Sequence, residues 1–198
     1  MQGSMSFLFR PVIPMMREMI AKDYGLGLAM LRGRLDSEAE RPLIAFDGDA
    51  DLGPISALTI PFSGGMEAMV QAMKQGFPKL ANYLREQGSE PTARPFSAYH
   101  KVDIKKKYFD CDIAVPAAVG VADGDFHRKT FAGGKHFKVT LTGSYNFLEL
   151  AWYAAVGHSR MLKLKIDKRR PMLEVYENDP HSVANSNELR TTLYLPLR

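Results

Sequence analysis

Two hydrophobic periods alternate along this chain, and the switch from one to the other occurs twice in the same way. Between Lys135 and Thr142, Phe137, Val139 and Leu141 alternate with Lys138, Thr140 and Thr142, the two-residue period of a half-buried strand. A short Thr-Gly-Ser turn follows. From Tyr145 onward Leu148, Ala151, Trp152, Ala155 and Leu162 recur at helical spacing, with Gly157 weakening the middle. The earlier passage has the same order: the strand SALTIPF from Ser56, the pair Gly64-Gly65, then a stripe of Met66, Met69, Val70, Met73, Phe77, Leu80 and Leu84. That spacing predicts an amphipathic helix whose methionine-rich stripe is core. Gly76 and Pro78 inside it predict a kink or a short break.

Each helix is followed by a proline and a strand ending in tyrosine, ARPFSAYH and RRPMLEVYE, and each half closes on an apolar-proline strand, CDIAVP and TTLYLP. Gly64 and Gly143 stand 79 residues apart, Tyr99 and Tyr176 77, Pro116 and Pro196 80. Three landmarks in one order at nearly one offset define an internal repeat. The expected fold is α+β: two pseudo-twofold-related strand–helix–strand–strand repeats, about 55–118 and 131–198, with an antiparallel sheet and the helices on one face. Ahead of them Met16, Ile20, Tyr24, Leu28, Leu31 and Leu35 predict an N-terminal helix, interrupted by Gly25 and Gly27. The Gly/Asp-rich stretch Phe46–Pro54 reads as a loop. Residues 1–54 are thus expected to form an extension and 55–198 the domain proper, with Met1–Met5 a cloning remnant.

Composition narrows the setting. The chain has 198 residues, 45% hydrophobic and 24% charged, which suits a packed domain and not a disordered one. Apolar runs such as Ile113–Val121 are too short to span a membrane, and no signal peptide is visible in the first residues. The single cysteine, Cys111, excludes an internal disulfide framework and a cysteine-rich zinc site. A cytoplasmic location is expected. The net charge of +4 is mild, and its densest run, Lys105–Lys107, falls where a hairpin turn is expected between Val102 and Tyr108. Nothing resembles a recognition helix, so direct DNA binding by this chain is not expected.

The sequence carries no Gly-x-Ser-x-Gly elbow, no phosphate loop and no His-Glu-x-x-His helix. Its five histidines are widely spaced, so neither a metal nor another cofactor is expected. The informative segment is PMLEVYENDP, Pro171–Pro180. As a strand it places Met172, Glu174 and Tyr176 on one face and Leu173 and Val175 on the other. Leu173 and Val175 are expected to cover the helices, leaving Glu174 and Tyr176 on the opposite side. The repeat makes Ser97 and Tyr99 their counterparts. These four positions would meet near the symmetry axis, where a cleft between halves is a natural ligand site. The alternative reading leaves Glu174 a solvated carboxylate on an open sheet face.

GGKHFKVTLTGSYNFLELAW, followed by PMLEVYENDP and ELRTTLYLPL, resembles the GyrI-like small-molecule-binding family. Its superfamily includes the effector-binding domains of AraC-type regulators and of the multidrug sensor BmrR. The resemblance covers roughly Pro54–Arg198 and is most specific over Phe131–Leu197. It implies two strand–helix–strand–strand repeats about a pseudo-twofold axis, and a pocket for small hydrophobic or cationic aromatic ligands. By position it makes Glu174 the pocket acid, Tyr145 the tyrosine at the helix start and Trp152 an aromatic wall, with Tyr176, Tyr99 and Ser97 transferred through the repeat. It also implies two alternatives. One is hydrolysis of electrophilic cyclopropane-bearing alkylating compounds, with catalytic Glu174 as general acid or base and Trp152 or Tyr145 holding the ligand. The other is inhibition of a protein through the surface. Regulators of the family carry a DNA-binding domain before the pocket domain, and the segment before Ile55 does not supply paired helix-turn-helix units. A stand-alone module, or one with a fused or partner regulatory domain, is expected.

Overall fold

The structure is a computed structural model of the chain. It describes residues 42–198 apart from 105, 119–123 and 181, together with isolated positions between 21 and 40. Of the expected N-terminal helix, Tyr24, Leu28 and Leu31 are helical and exposed, and Met16, Ile20 and Leu35 lie outside the described residues. The ordered elements run β1 (Leu43–Leu52), β2 (Ile55–Gly65), α1 (Met66–Glu86), β3 (Phe96–Asp103), β4 (Tyr108–Pro116), β5 (His127–Phe131), β6 (Gly134–Thr142), α2 (Leu148–Met161), β7 (Met172–Tyr176) and β8 (Arg190–Pro196).

The eight strands form one sheet in the order β1-β6-β8-β7-β3-β4-β2-β5, antiparallel at every pairing. The fold is therefore α+β with two related halves, β2-α1-β3-β4 and β6-α2-β7-β8, joined back to back where β3 meets β7. Each half also gains a strand the repeat did not contain. β1 flanks β6 and β5 flanks β2, so the strand preceding each half crosses over to form the other half's outer edge. The stretch 46–54, expected as a loop, is mostly strand. Its glycines and aspartates suit an edge: Asp47 accepts a hydrogen bond from Thr140 at 2.6 Å, and Gly48 takes φ +87° where the register shifts between Phe46 and Gly48.

Both helices lie on one face of the sheet. Phe137, Val139, Leu141, Leu193 and Leu195 pack under α2 against Ala151 and Ala155, as the alternation in β6 requires. Leu80 and Leu84 of α1 pack on Leu58, Ile113 and Val115. The helix runs unbroken through Gly76 and Pro78. Gly76 serves close packing: a Cβ there would lie 3.0 Å from Ile113 Cδ1. Not all of the predicted stripes is core. Met66 and Val70 at the first turns of α1 are exposed, as is Leu162 past the end of α2.

The opposite face carries its own apolar layer of Ala57, Phe96, Ala98, Ala114, Phe131 and Leu173, with Val175 and Tyr194 packed against it. This reverses one expectation. Leu173 and Val175 point away from the helices, and Glu174 and Tyr176 point toward them. Both faces of β7 are covered, so alternation alone could not tell which one meets α1 and α2. Among the described residues no helix is long and apolar enough to cross a membrane.

Candidate functional site

The centre of the molecule is the β3–β7 seam, where the register pairs Ser97 with Glu174 and Tyr99 with Met172. The side chains of Ser97, Tyr99, Glu174 and Tyr176 project from this seam into the space between α1 and α2. α2 supplies Trp152, and α1 supplies Met73 and Phe77. A 3₁₀ turn, Tyr145–Phe147, leads into α2, its N-terminus capped by Ser144 Oγ accepting from the Asn146 amide at 3.2 Å.

Glu174 is 3% exposed, and three neutral groups donate to it. Trp152 Nε1 reaches Oε2 at 2.5 Å. The Tyr176 hydroxyl reaches Oε1 at 2.6 Å and the Tyr99 hydroxyl reaches the same oxygen at 3.4 Å. Tyr176 also lies 3.1 Å from Ser97 Oγ. A phenol has one proton, and an ionised carboxylate is the stronger acceptor. Ser97 therefore donates to Tyr176, which donates to Glu174. The Met73 sulfur closes the group, 3.7 Å from Tyr176 Oη and 4.0 Å from Ser97 Oγ.

Aromatic rings wall this cluster. Tyr99 meets Trp152 edge to face at 5.8 Å and Phe109 at 6.5 Å. Tyr176 meets Phe77 at 5.3 Å and Tyr145 at 5.8 Å in the same manner. The electrostatics follow from burial. Desolvation pushes the Glu174 carboxyl up, against the pull of its three donors. Burial and then the neighbouring Glu174 push the Tyr99 and Tyr176 phenols well up. Burial takes the Tyr145 phenol to about 12, helped by Glu174 and Asp179. The Cys111 thiol, beneath the cluster, also rises to about 12, chiefly through burial, and so stays an inert thiol.

The structure thus brings five of the six sequence-derived candidates, Ser97, Tyr99, Trp152, Glu174 and Tyr176, into one group held by hydrogen bonds and edge-to-face ring contacts. Tyr145 stands one ring further out, against Tyr176. Sequence reading did not single out Met73, Phe77 or Phe109. A signal for Met73 was present: it stands 79 residues before Trp152, the same separation as the two turn glycines.

A second buried carboxylate lies on the other face of the sheet. Asp112, 1% exposed, accepts from Lys129 Nζ at 2.7 and 2.8 Å and pairs with His100 Nε2 at 2.7 Å. Burial alone would raise its pKa, but His100 and Lys129 hold it below the usual carboxylate value. The contrast with Glu174 is sharp. Asp112 is paired with the Lys129 ammonium and with His100, and among the described residues Glu174 is met only by uncharged donors. Among the described residues no three His, Cys, Asp or Glu side chains stand close enough to share a metal ion.

Residues 52–198 match the family described as the GyrI-like small molecule binding domain, and the chain belongs to that family. No curated protein sequence matches it. Solved structures with the same fold include EcmrR in the EcmrR–DNA complex of EcmrR-RPo, with a TM-score of 0.67 at 15% identity over 95% of this chain and 69% of that one. The EcmrR C-terminal domain gives a TM-score of 0.66 at 14% identity, covering 80% of this chain and 98% of that one. SAV2435 bound to tetraphenylphosphonium gives 0.55 at 13% identity, covering 76% and 92%. The molecule is therefore a small-molecule-binding domain by family, and it shares the fold of these structures.

Proposed function

We infer that the Glu174 cluster is the ligand site, and that it takes hydrophobic, cationic aromatic molecules in the cleft between the two halves. One observation carries this reading. A carboxylate 3% exposed is held by an indole and two phenols, with no Lys, Arg or His of the described residues among its partners. Burying an ionised carboxylate without a cation is costly. Neutral donors offset part of that cost, and a bound cation offsets the rest. The surrounding rings are suited to hold such a ligand, since each good cation–π contact contributes roughly 0.5–2 kcal/mol.

Trp152 donates to the carboxylate, and Met73 packs beside it on Tyr176 and Ser97; a ligand reaches Glu174 by displacing one or both from these contacts. Met73 is unbranched and readily changes rotamer. The tetraphenylphosphonium carried by the structurally similar SAV2435 supplies a suitable probe. Calorimetric titration of the full chain with tetraphenylphosphonium, and with the neutral triphenylphosphine oxide, tests the reading. Saturable binding of the cation, at least about tenfold tighter than the neutral compound and with the ligand recovered unchanged in mass, is expected. Equal binding of the two, or binding of neither, contradicts it.

A further inference from the structure

The pseudo-twofold axis shows what stands opposite the acid. Met73 and Trp152, 79 residues apart, are presented by α1 and α2 at corresponding positions. Ser97 and Glu174 face each other across β3 and β7, and Tyr99 and Tyr176 each follow two residues later. The cluster thus divides into two equivalent halves. In one, the Trp152 N–H and the Tyr99 hydroxyl converge on the Glu174 carboxylate at 2.5 and 3.4 Å. In the other, the Met73 sulfur and the Tyr176 hydroxyl converge on Ser97 Oγ at 4.0 and 3.1 Å. The arrangement is the same, with a thioether in place of the indole and a hydroxyl in place of the carboxylate.

The other carboxylates nearby do not restore the balance. Asp110 and Asp112 flank the inward-facing Cys111 and so point to the opposite face of the sheet, where Asp110 accepts from Ser63, and Asp112 is paired with the Lys129 ammonium and with His100. Asp179, in the loop after β7, reaches Tyr145 at the rim of the Ser97 half but is solvent-exposed and not buried with the cluster.

Resting on the reading of this cluster as the ligand site, we propose that it selects ligands carrying a single positive charge. The cationic centre sits on the Trp152–Glu174–Tyr99 half, and an uncharged aromatic end lies against Met73, Ser97 and Phe77. Met73 and Ser97 are then the residues that set specificity. A second cation on their side would be buried against a thioether and a hydroxyl already engaged with Tyr176, without a buried counter-charge among the described residues. The soft, adaptable thioether instead fits uncharged aryl surface.

The test uses two probes of one shape that differ by one charge, 1-benzyl-4-(4-methylphenyl)pyridinium and 1-benzyl-1′-methyl-4,4′-bipyridinium, titrated calorimetrically against the full chain. The wild type is expected to bind the monocation about a hundredfold more tightly. Ser97→Asp, which adds a carboxylate on the empty side, is expected to bring the two within about tenfold of each other by tightening the dication. Wild-type affinities within about twofold of one another overturn the charge count, and this comparison stands without the variant. Tetraphenylphosphonium is the control. If it binds while the two pyridinium probes bind alike, only the present inference fails. If neither it nor the monocation binds, the underlying site reading fails and this inference with it.

Discussion

Ser97 and Glu174 face each other directly across the β3–β7 seam, and the Tyr176 hydroxyl links them, 3.1 Å from the serine and 2.6 Å from the carboxylate. The chain of donors runs from serine to phenol to acid, so Ser97 orients the group that holds Glu174. Ser97→Ala removes the first link from a fully buried position. A loss of about 1 kcal/mol in folding stability is expected by urea denaturation, with the fold retained.

Glu174 gives the protein a particular pH dependence. Its pKa in the folded state is raised, chiefly by burial. The sign follows from proton linkage: the folded state holds this proton to higher pH than the unfolded chain does. The group's contribution is therefore intact at pH values below the unfolded carboxylate pKa and is lost as pH rises through the folded one. Glu174→Gln does not titrate and can still accept from Trp152. Its melting temperature relative to wild type should increase as pH is raised from 4 to 8. A difference that is flat or that shrinks with pH contradicts the assignment of an uncompensated acid.

Asp112 behaves in the opposite sense. Its folded pKa is lowered by His100 and Lys129 despite burial, so it stabilises the fold above the unfolded carboxylate pKa and loses that contribution as pH falls through the folded value. Asp112→Asn leaves Lys129 facing a neutral amide at a site that is 1% exposed on the aspartate side. A cost of about 2–4 kcal/mol at pH 7 is expected, smaller at pH 3, when measured by denaturant titration at both values.

Much of the architecture was legible because the repeat is written in residue types that both periods require. Phe137, Val139 and Leu141 could only be a strand face, and the turn glycines and apolar-proline strands fixed the offset. The acid and its tyrosines were legible through that offset. The face they occupy was not. β7 packs apolar residues on one side, Leu173 and Val175, and a largely buried polar cluster on the other, and a period of two does not say which side holds the helices. β1 escaped for a different reason. Asp47, Gly48, Asp49 and Asp51 look like a loop, and an edge strand tolerates such residues because one side of its backbone pairs with nothing in the sheet.

The β5–β6 connection offers a sharp stability test. Gly133 approaches the β1–β2 turn so closely that a Cβ would lie 2.3 Å from the Leu52 carbonyl oxygen and 2.6 Å from the Gly53 carbonyl carbon. Backbone cannot yield as a flexible side chain does. Gly133→Ala should cost about 2 kcal/mol or more, read as a lowered thermal midpoint. Gly157→Ala, where a Cβ meets open space within α2, should be neutral or stabilise by up to about 1 kcal/mol.

The measurement closest to the central claim uses Trp152, the sole tryptophan, whose indole N–H contacts the acid. Tetraphenylphosphonium is titrated against wild type and Glu174→Gln at pH 7 while indole fluorescence is followed. The account predicts a saturable change in the wild type and an affinity at least about tenfold weaker in Glu174→Gln. Equal affinity in the two proteins, or a saturable signal that is indifferent to Glu174, would contradict it.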